Sequence, residues 1–312
     1  MKRYTLVLSC LALALTAVSA RATDCGEVNV QPVHLLGRLS GDDHAGHHGH
    51  HWHTKGCHEG DPCAACNGFK PICSACEPLW NVYIGAVILE RSNPAGIDNF
   101  DYGWQGYVDV DIRRRVLGDY QLQIRYFGVD RWSEEADTPQ FGPIAANSNL
   151  HSTEVNLRRQ WTESLTLLGG FRWIEMGDFA VDALNNVIDT NNHMYGGQMG
   201  AEWLVWDRGG PFTITTGVKA GIYYNRADYD ANFGPIQQSR RRHTAFAGEW
   251  DILSRYQVTD RMAIRAGYQL LWLEGVASFD APQVADVNNG NRVNTNGSPF
   301  YHGAVIGAEF SF

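Results

Sequence analysis

The feature that most constrains the fold of this chain is a two-residue alternation through its last stretch, residues 300–312. One set of side chains is almost entirely apolar and the other mostly small or polar: Phe300, His302, Ala304, Ile306, Ala308, Phe310 and Phe312 against Tyr301, Gly303, Val305, Gly307, Glu309 and Ser311. Because successive side chains of a β-strand point to opposite faces, this stretch predicts a strand with one apolar face. Such a division is typical of transmembrane strands between lipid and a polar interior.

A transmembrane strand requires a closed barrel, since open sheet edges do not occur in contact with lipid. The composition allows one, with 19% charged residues, 33 Gly, 10 Trp and 13 Tyr. After the amino terminus no run reaches the roughly 18 apolar residues of a transmembrane helix. The formal net charge of -9 argues against a nucleic-acid partner, which requires a basic surface.

Similar alternation recurs between residues 80 and 273, and we predict an all-β, closed antiparallel transmembrane barrel of ten strands over residues 80–312. Eight or twelve strands are the alternatives. Its connections fall into two alternating classes. Short turns are predicted near 115–119, 161–164, 207–211 and 256–261, and long polar loops near 92–103, 128–150, 176–193, 224–240 and 276–298. Outer-membrane barrels have short periplasmic turns and long outer loops, which places both termini in the periplasm.

The inward positions of the predicted strands carry charges of both signs. The acidic ones are Asp109, Asp111, Glu154, Glu202, Glu249, Asp251 and Glu309, and the basic ones are Arg113, Arg125, Arg158, Arg172, Lys219 and Arg265. An unpaired charge kept from water costs several kcal/mol, so we expect these groups to pair. Barrels of this size are filled by their own side chains. We therefore predict a lumen plugged by ion pairs; an open, porin-like channel is the alternative.

Aromatic residues near the predicted strand ends suit the two membrane interfaces, where an amphipathic ring is half hydrated. They are Trp104, Tyr126, Trp161, Trp206, Tyr223, Tyr256, Trp272 and Phe312. The alternative explanation is that aromatic residues are simply common in strands.

The amino terminus has the pattern of a secretory signal peptide. A basic start, Met1–Arg3, precedes the apolar run Tyr4–Val18, and small residues follow. We predict that residues 1–22 are removed on export. The apolar run is too short to make a comfortable membrane anchor.

Residues 23–79 contain too few apolar side chains to form a core, so we predict a mostly irregular periplasmic extension. Its six cysteines, Cys25, Cys57, Cys63, Cys66, Cys73 and Cys76, allow disulfides, as is usual in an exported protein. One competing prediction is free thiols; the other is a site for Zn or another transition metal, since the spacing of the Cys pairs and the His run suit metal ligation. Its candidate ligands are His44, His47, His48, His50, His51, His53, Cys63, Cys66, Cys73 and Cys76. We expect no cofactor in the barrel.

Three segments resemble a β-barrel porin family abundant in planctomycete-type bacteria. They are Tyr126–Trp132 (YFGVDRW), Leu89–Ser92 (LERS) and the closing aromatic strand. The resemblance covers residues 80–312 and implies a barrel in the bacterial outer membrane. The outer-membrane lipid, and the assembly machinery acting on the carboxy-terminal strand, are then the expected partners. The family has no catalytic residues to carry over.

We expect no enzymatic activity, although one arrangement keeps a hydrolase as an alternative. His151, His193, His243 and His302 all fall at predicted outer strand ends, near Asp130, Asp182, Asp189, Asp228 and Asp230. Such groups could activate water or hold a metal. The chain has neither a GxSxG nor an HExxH motif. A metal-binding or adhesive surface protein, working through its outer loops, is the third alternative.

Overall fold

The computed structural model describes residues 78–92, 102–117, 119–138, 142–232, 238–278, 285–286 and 292–312. Within them, ten strands form a barrel: β1 (Trp80–Ser92), β2 (Tyr102–Leu117), β3 (Tyr120–Thr138), β4 (Gly142–Gln160), β5 (Leu165–Asp182), β6 (Val187–Asp207), β7 (Phe212–Ala231), β8 (Gln238–Thr259), β9 (Met262–Glu274) and β12 (Phe300–Ser311). All ten are antiparallel to their neighbours, and the barrel closes in the order β1-β12-β9-β8-β7-β6-β5-β4-β3-β2. The predicted ten-stranded barrel is confirmed.

The last connection contains a separate two-stranded sheet, formed by β10 (Ala285–Asp286) and β11 (Arg292–Val293). Across the described ranges, no helix has the length and apolarity needed to cross a membrane.

The barrel closes between its first and last strands. β1 pairs with β12 along its length, from Asn81 opposite Ser311 to Ser92 opposite Phe300. Gly303 is required by this close pairing, because a Cβ atom there would lie 1.9 Å from the carbonyl oxygen of Ile88. Closure gives each of the ten barrel strands a paired neighbour on both sides, as a sheet in lipid requires.

Six strands are much longer than a membrane requires. β3 to β8 have 18–22 residues, whereas about 9–11 residues suffice for a tilted transmembrane strand. The surplus lies at the end opposite the short turns. The prediction of long polar loops at 128–150, 176–193 and 224–240 was therefore wrong over most of their length, since these residues extend the paired strands.

The polarity of the two faces reverses along these long strands. In β7, Val218 and Ile222 are exposed on the outer face, while Lys219 is buried inside. Beyond Tyr223, the outer positions become polar, as at Asp228, and the inner ones become apolar. A polar outer face beside an apolar interior is the arrangement of a water-exposed barrel, so the reversal divides a membrane-facing part from a part that stands in water.

The aromatic side chains predicted for the interfaces are mostly on the outer surface. Trp104, Trp161, Trp206, Tyr256, Trp272 and Phe312 are exposed. Tyr223 was placed wrongly, since only 1% of it is exposed and it faces the interior. It stands at the reversal of polarity, where an apolar residue belongs inside.

Candidate functional site

The interior of the membrane-facing part contains a cluster of buried charges centred on Lys219. Its Nζ lies 2.8 Å from Oε1 of Glu154 and 2.8 Å from Oε1 of Glu249. Arg172 contacts Glu249 at 2.7 Å, and Arg125 lies 3.1 Å from the same carboxylate. These groups come from different strands, so the cluster connects the walls of the barrel across its interior.

Further ion pairs surround this cluster. Asp109 accepts two hydrogen bonds from Arg125, at 3.0 and 3.1 Å. Arg158 makes a bidentate pair with Glu202. Arg113 pairs with Asp111 at 2.6 Å, and Arg265 pairs with Glu309 at 3.3 Å.

Asp251 is the exception among the thirteen charges predicted to line the lumen. It is buried at an inward position of β8, but within the described residues no cation forms an ion pair with it. Arg255 was not predicted as a lumen residue, but it lies 2.8 Å from Glu309. It follows Asp251 by four residues and so points to the same face of β8, which is the signal that could have identified it.

A small cavity lies among these charges. Its volume is about 20 Å³, and Tyr83, Asp251 and Gln269 are among its lining residues. A volume of this size holds about one water molecule. The charged layer is thus close to fully packed around this point.

Above the charges, the interior is filled by an apolar layer that was not predicted from the sequence. Trp132, Tyr301, Phe127, Leu150 and Met176 are all fully buried there. The rings of Trp132 and Tyr301 lie 5.5 Å apart. Most of this layer comes from the stretches taken for loops, where apolar residues at alternate positions were the available signal.

The start of the last long connection folds into this end of the barrel, and we call Gly275–Ser278 the inner segment. Asn192 donates to the carbonyl oxygen of Ala277 at 2.7 Å and accepts from its amide at 2.8 Å. Asn225 donates to the carbonyl oxygen of Gly275 at 3.1 Å. Val276 is fully buried. The loop predicted at 276–298 therefore begins inside the barrel rather than on an exposed surface.

A buried ion pair joins the inner segment to the barrel wall. Arg91 contacts Asp178 through both carboxylate oxygens, at 2.5 and 3.0 Å, and it also donates to Ser148 at 2.5 Å and to Ser278 at 3.0 Å. Its guanidinium lies 5.1 Å from the centre of the Tyr102 ring. Arg91 and Asp178 are both fully buried. Neither was predicted as a site residue, although Arg91 shares its parity with the inward residues of β1.

The four histidines predicted at the outer rim do not form one group. His151 lies 3.5 Å from Asp130 and 3.0 Å from the Tyr126 hydroxyl, and His193 lies 3.7 Å from Glu175. Both carboxylate distances exceed the roughly 2.6–3.2 Å of a catalytic hydrogen bond.

The other two histidines have different surroundings again. His302 lies 2.7 Å from the Tyr268 hydroxyl on the outer surface. His243 faces inward, and its Nε2 donates to the carbonyl oxygen of Gly275 at 2.6 Å. His243 therefore supports the inner segment instead of joining a rim cluster.

Asp182, one of the predicted rim carboxylates, organises the turn between β5 and β6. It accepts hydrogen bonds at 2.8 Å from the amides of Leu184 and Asn186 and from the Asn186 side chain. The Asn186 side chain and these amides lower the pKa of Asp182. Because the pKa of Asp182 is lower in the folded than in the unfolded chain, its ionised carboxylate stabilises the turn at pH values above the unfolded pKa. This stabilisation is lost as the pH falls through the folded pKa.

We therefore expect the turn to loosen on acidification. The Leu184 and Asn186 amide resonances should shift together as the pH falls through the depressed pKa, which NMR of the barrel in micelles would measure. Asp182→Asn is the control and should remove this step. Amide shifts that stay constant from neutral to acid pH would contradict the expectation.

No group of three His, Cys, Asp or Glu side chains suited to a metal ion occurs in the described part of the chain. The ten predicted metal ligands between His44 and Cys76 lie outside the described residues, as do the six cysteines that could form disulfides. The predicted signal peptide, residues 1–22, lies outside them too.

Comparison with known proteins adds three solved barrels. The chain is similar to the outer membrane protease OmpT from Escherichia coli, at 9% identity, with 75% of this chain and 96% of that chain covered and a TM-score of 0.49. It is also similar to the translocator domain of the autotransporter NalP from Neisseria meningitidis, at 9% identity, with 75% of this chain and 88% of that chain covered and a TM-score of 0.46. A third similar structure is the Ralstonia pickettii toluene transporter TbuX, at 11% identity, with 75% of this chain and 89% of that chain covered and a TM-score of 0.33.

By sequence, no known protein family and no curated protein matches the chain. Likenesses at these identities and TM-scores carry no inference about function. Membership of the porin family that the chain resembles stays a prediction.

Proposed function

We propose that this chain is a structural protein of the bacterial outer membrane, with a barrel that is closed inside and passes no solutes. The membrane location is supported by the outer surface of the barrel. Large apolar side chains are exposed on many of its strands, including Ile84, Ile124, Phe171, Met199, Ile222 and Ile306. An exposed apolar surface that encircles a barrel suits lipid and not water.

The orientation in this proposal follows from the two ends of the barrel. Short turns belong to the periplasmic end and longer elements to the outside in outer-membrane barrels. The extended strands, with their polar outer faces, then stand outside the cell. Residues 23–79 would remain in the periplasm after removal of the signal peptide, and the aromatic strand β12 would engage the assembly machinery.

The observation that carries the closed interior is the filling of the barrel by two layers. The charged layer connects opposite walls through Lys219, Glu154 and Glu249. The apolar layer above it buries Trp132 and Tyr301 completely. A solute would have to displace both layers, which requires breaking buried ion pairs and separating apolar side chains from each other.

The proposal assigns no catalytic role. It is supported by the dispersal of the four histidines over β4, β6, β8 and β12, with two facing Tyr hydroxyls and one facing a backbone carbonyl. A hydrolase needs a base, its proton donor or acceptor and an orienting group in one place.

Single-channel recording tests the closed interior. We expect the purified, refolded mature chain to be silent in a planar bilayer. Trp132→Ala, which removes the largest side chain of the apolar layer, should produce discrete openings or raise the leak current. Trp161→Ala is the matched control, because Trp161 is 60% exposed on the outer surface, and it should remain silent. Discrete conductance steps from the unmodified chain would instead identify a porin.

A further inference from the structure

The rim formed by the short turns has a recurring arrangement of exposed arginines over aromatic rings. In each case the guanidinium carbon lies 4.1–5.3 Å from a ring centre. The pairs are Arg114 over Trp80, Arg159 over both Tyr120 and Trp161, and Arg208 over Trp206. We call Arg114, Arg159 and Arg208 the rim arginines.

The rim arginines differ from several other arginines of the barrel, which pair with carboxylates. Within the described residues no carboxylate forms an ion pair with any of them. At the opposite end of the barrel, Arg226 and Arg240 both pair with Asp228. The rim arginines thus keep their positive charge available to a partner outside the chain.

Their position matches one membrane interface. Arg114 and Arg159 lie close to the strand ends that border short turns, and Arg208 directly follows β6. Apolar side chains of the lipid-facing surface begin next to them, as at Val116, which is 50% exposed, and Val205, which is 61% exposed. Amphipathic aromatic rings such as these are favoured at the depth of lipid headgroups.

We propose that the rim arginines bind the phosphates of anionic phospholipid headgroups in the leaflet at the short-turn end of the barrel. A guanidinium presents a planar set of donors that matches two phosphate oxygens, and it is weakly hydrated. The ring beneath it holds the guanidinium by a cation–π contact while leaving its edge free. The three rim arginines provide three headgroup sites along part of the circumference.

This inference rests on the membrane location in the proposed function, but not on the closed interior. Each site needs only an outer surface, so a conducting barrel would bind headgroups equally well. The two proposals can therefore fail separately.

Spin-labelled lipids measure the binding directly. The full mature chain is reconstituted in phosphatidylcholine vesicles containing trace spin-labelled phosphatidylglycerol or spin-labelled phosphatidylcholine. We expect the motionally restricted fraction to favour phosphatidylglycerol by about fivefold at a rim site, with the preference decreasing as salt is added. The triple variant Arg114→Gln, Arg159→Gln, Arg208→Gln should lose this preference.

The matched control is the triple variant Arg226→Gln, Arg240→Gln, Arg242→Gln, which removes the same charge from the opposite rim and should keep the preference. An unchanged preference in the first variant, or an equal loss in both, would overturn the inference. If the first triple variant does not fold, the single variants Arg114→Gln, Arg159→Gln and Arg208→Gln are measured in the same way. Each is then expected to lower the preference, and no change in any of them would overturn the proposal.

The same vesicles keep the two proposals apart when their conductance is recorded. A conducting barrel that still selects phosphatidylglycerol would overturn only the closed interior. A silent barrel without lipid preference would overturn only the headgroup sites.

Discussion

Replacing Arg91 by methionine is expected to lower the free energy of unfolding by about 3–5 kcal/mol, the usual cost of breaking a buried ion pair. The Asp178 carboxylate, which is fully buried, would lose the cation that contacts both of its oxygens. The inner segment would also lose the hydrogen bond from Arg91 to Ser278. Both effects act on the same end of the barrel interior.

Urea unfolding of the barrel in lipid vesicles, followed by tryptophan fluorescence, measures this loss. Arg226→Met is the control, because the Arg226 and Asp228 side chains are 42% and 26% exposed and such surface pairs contribute about 0–1 kcal/mol. The double variant Arg91→Met, Asp178→Leu should recover much of the stability, since it leaves no unpaired buried charge. Equal losses in Arg91→Met and Arg226→Met would contradict the assigned role of the buried pair.

The second large effect is expected from Lys219→Met in the charged layer. The cluster balances Asp109, Glu154 and Glu249 against Arg125, Arg172 and Lys219. Without Lys219, three buried carboxylates face two guanidinium groups. We expect the free energy of unfolding to decrease by about 3–5 kcal/mol, because one buried negative charge loses its compensation.

The balance of charge can be tested by removing one of the carboxylates as well. Lys219→Met with Glu249→Gln restores two acids facing two bases and should be more stable than Lys219→Met alone, in the same unfolding assay. Arg242→Met removes a positive charge from an exposed position of β8 and should change stability by no more than about 0.5 kcal/mol. A double variant no more stable than Lys219→Met would show that side-chain volume, and not charge balance, determines the loss.

The sequence predicted the membrane-facing part of the barrel well, because one physical rule operates along all of it. Wherever lipid lies outside and charges lie inside, alternation identifies both the strand and the direction of each side chain, as at Val218 and Lys219. The rule reverses beyond Tyr223, and polar residues such as Asp228 were then taken for loop residues. Polarity by itself does not distinguish a loop from a strand whose outer face meets water.

The sequence predicts which side chains point inward better than it predicts which of them contact each other. Parity places Arg91 inside the barrel, but its partner Asp178 is 87 residues away in the chain. Which inward groups meet depends on the stagger of the strands around the closed barrel, and the local pattern contains no information on this stagger. The same limit applies to the inner segment, whose short apolar stretch looked like the beginning of an exposed loop.

The inner segment also has a consequence for the order in which the protein assembles. Ser278 binds groups 100 and 187 residues earlier in the chain, on β5 and β1. Contacts between such distant residues form late, after the intervening chain has been ordered. Docking of the inner segment therefore belongs to the last stage of folding, when the first and last strands have met. An incomplete cylinder would leave this segment outside and accessible to proteases.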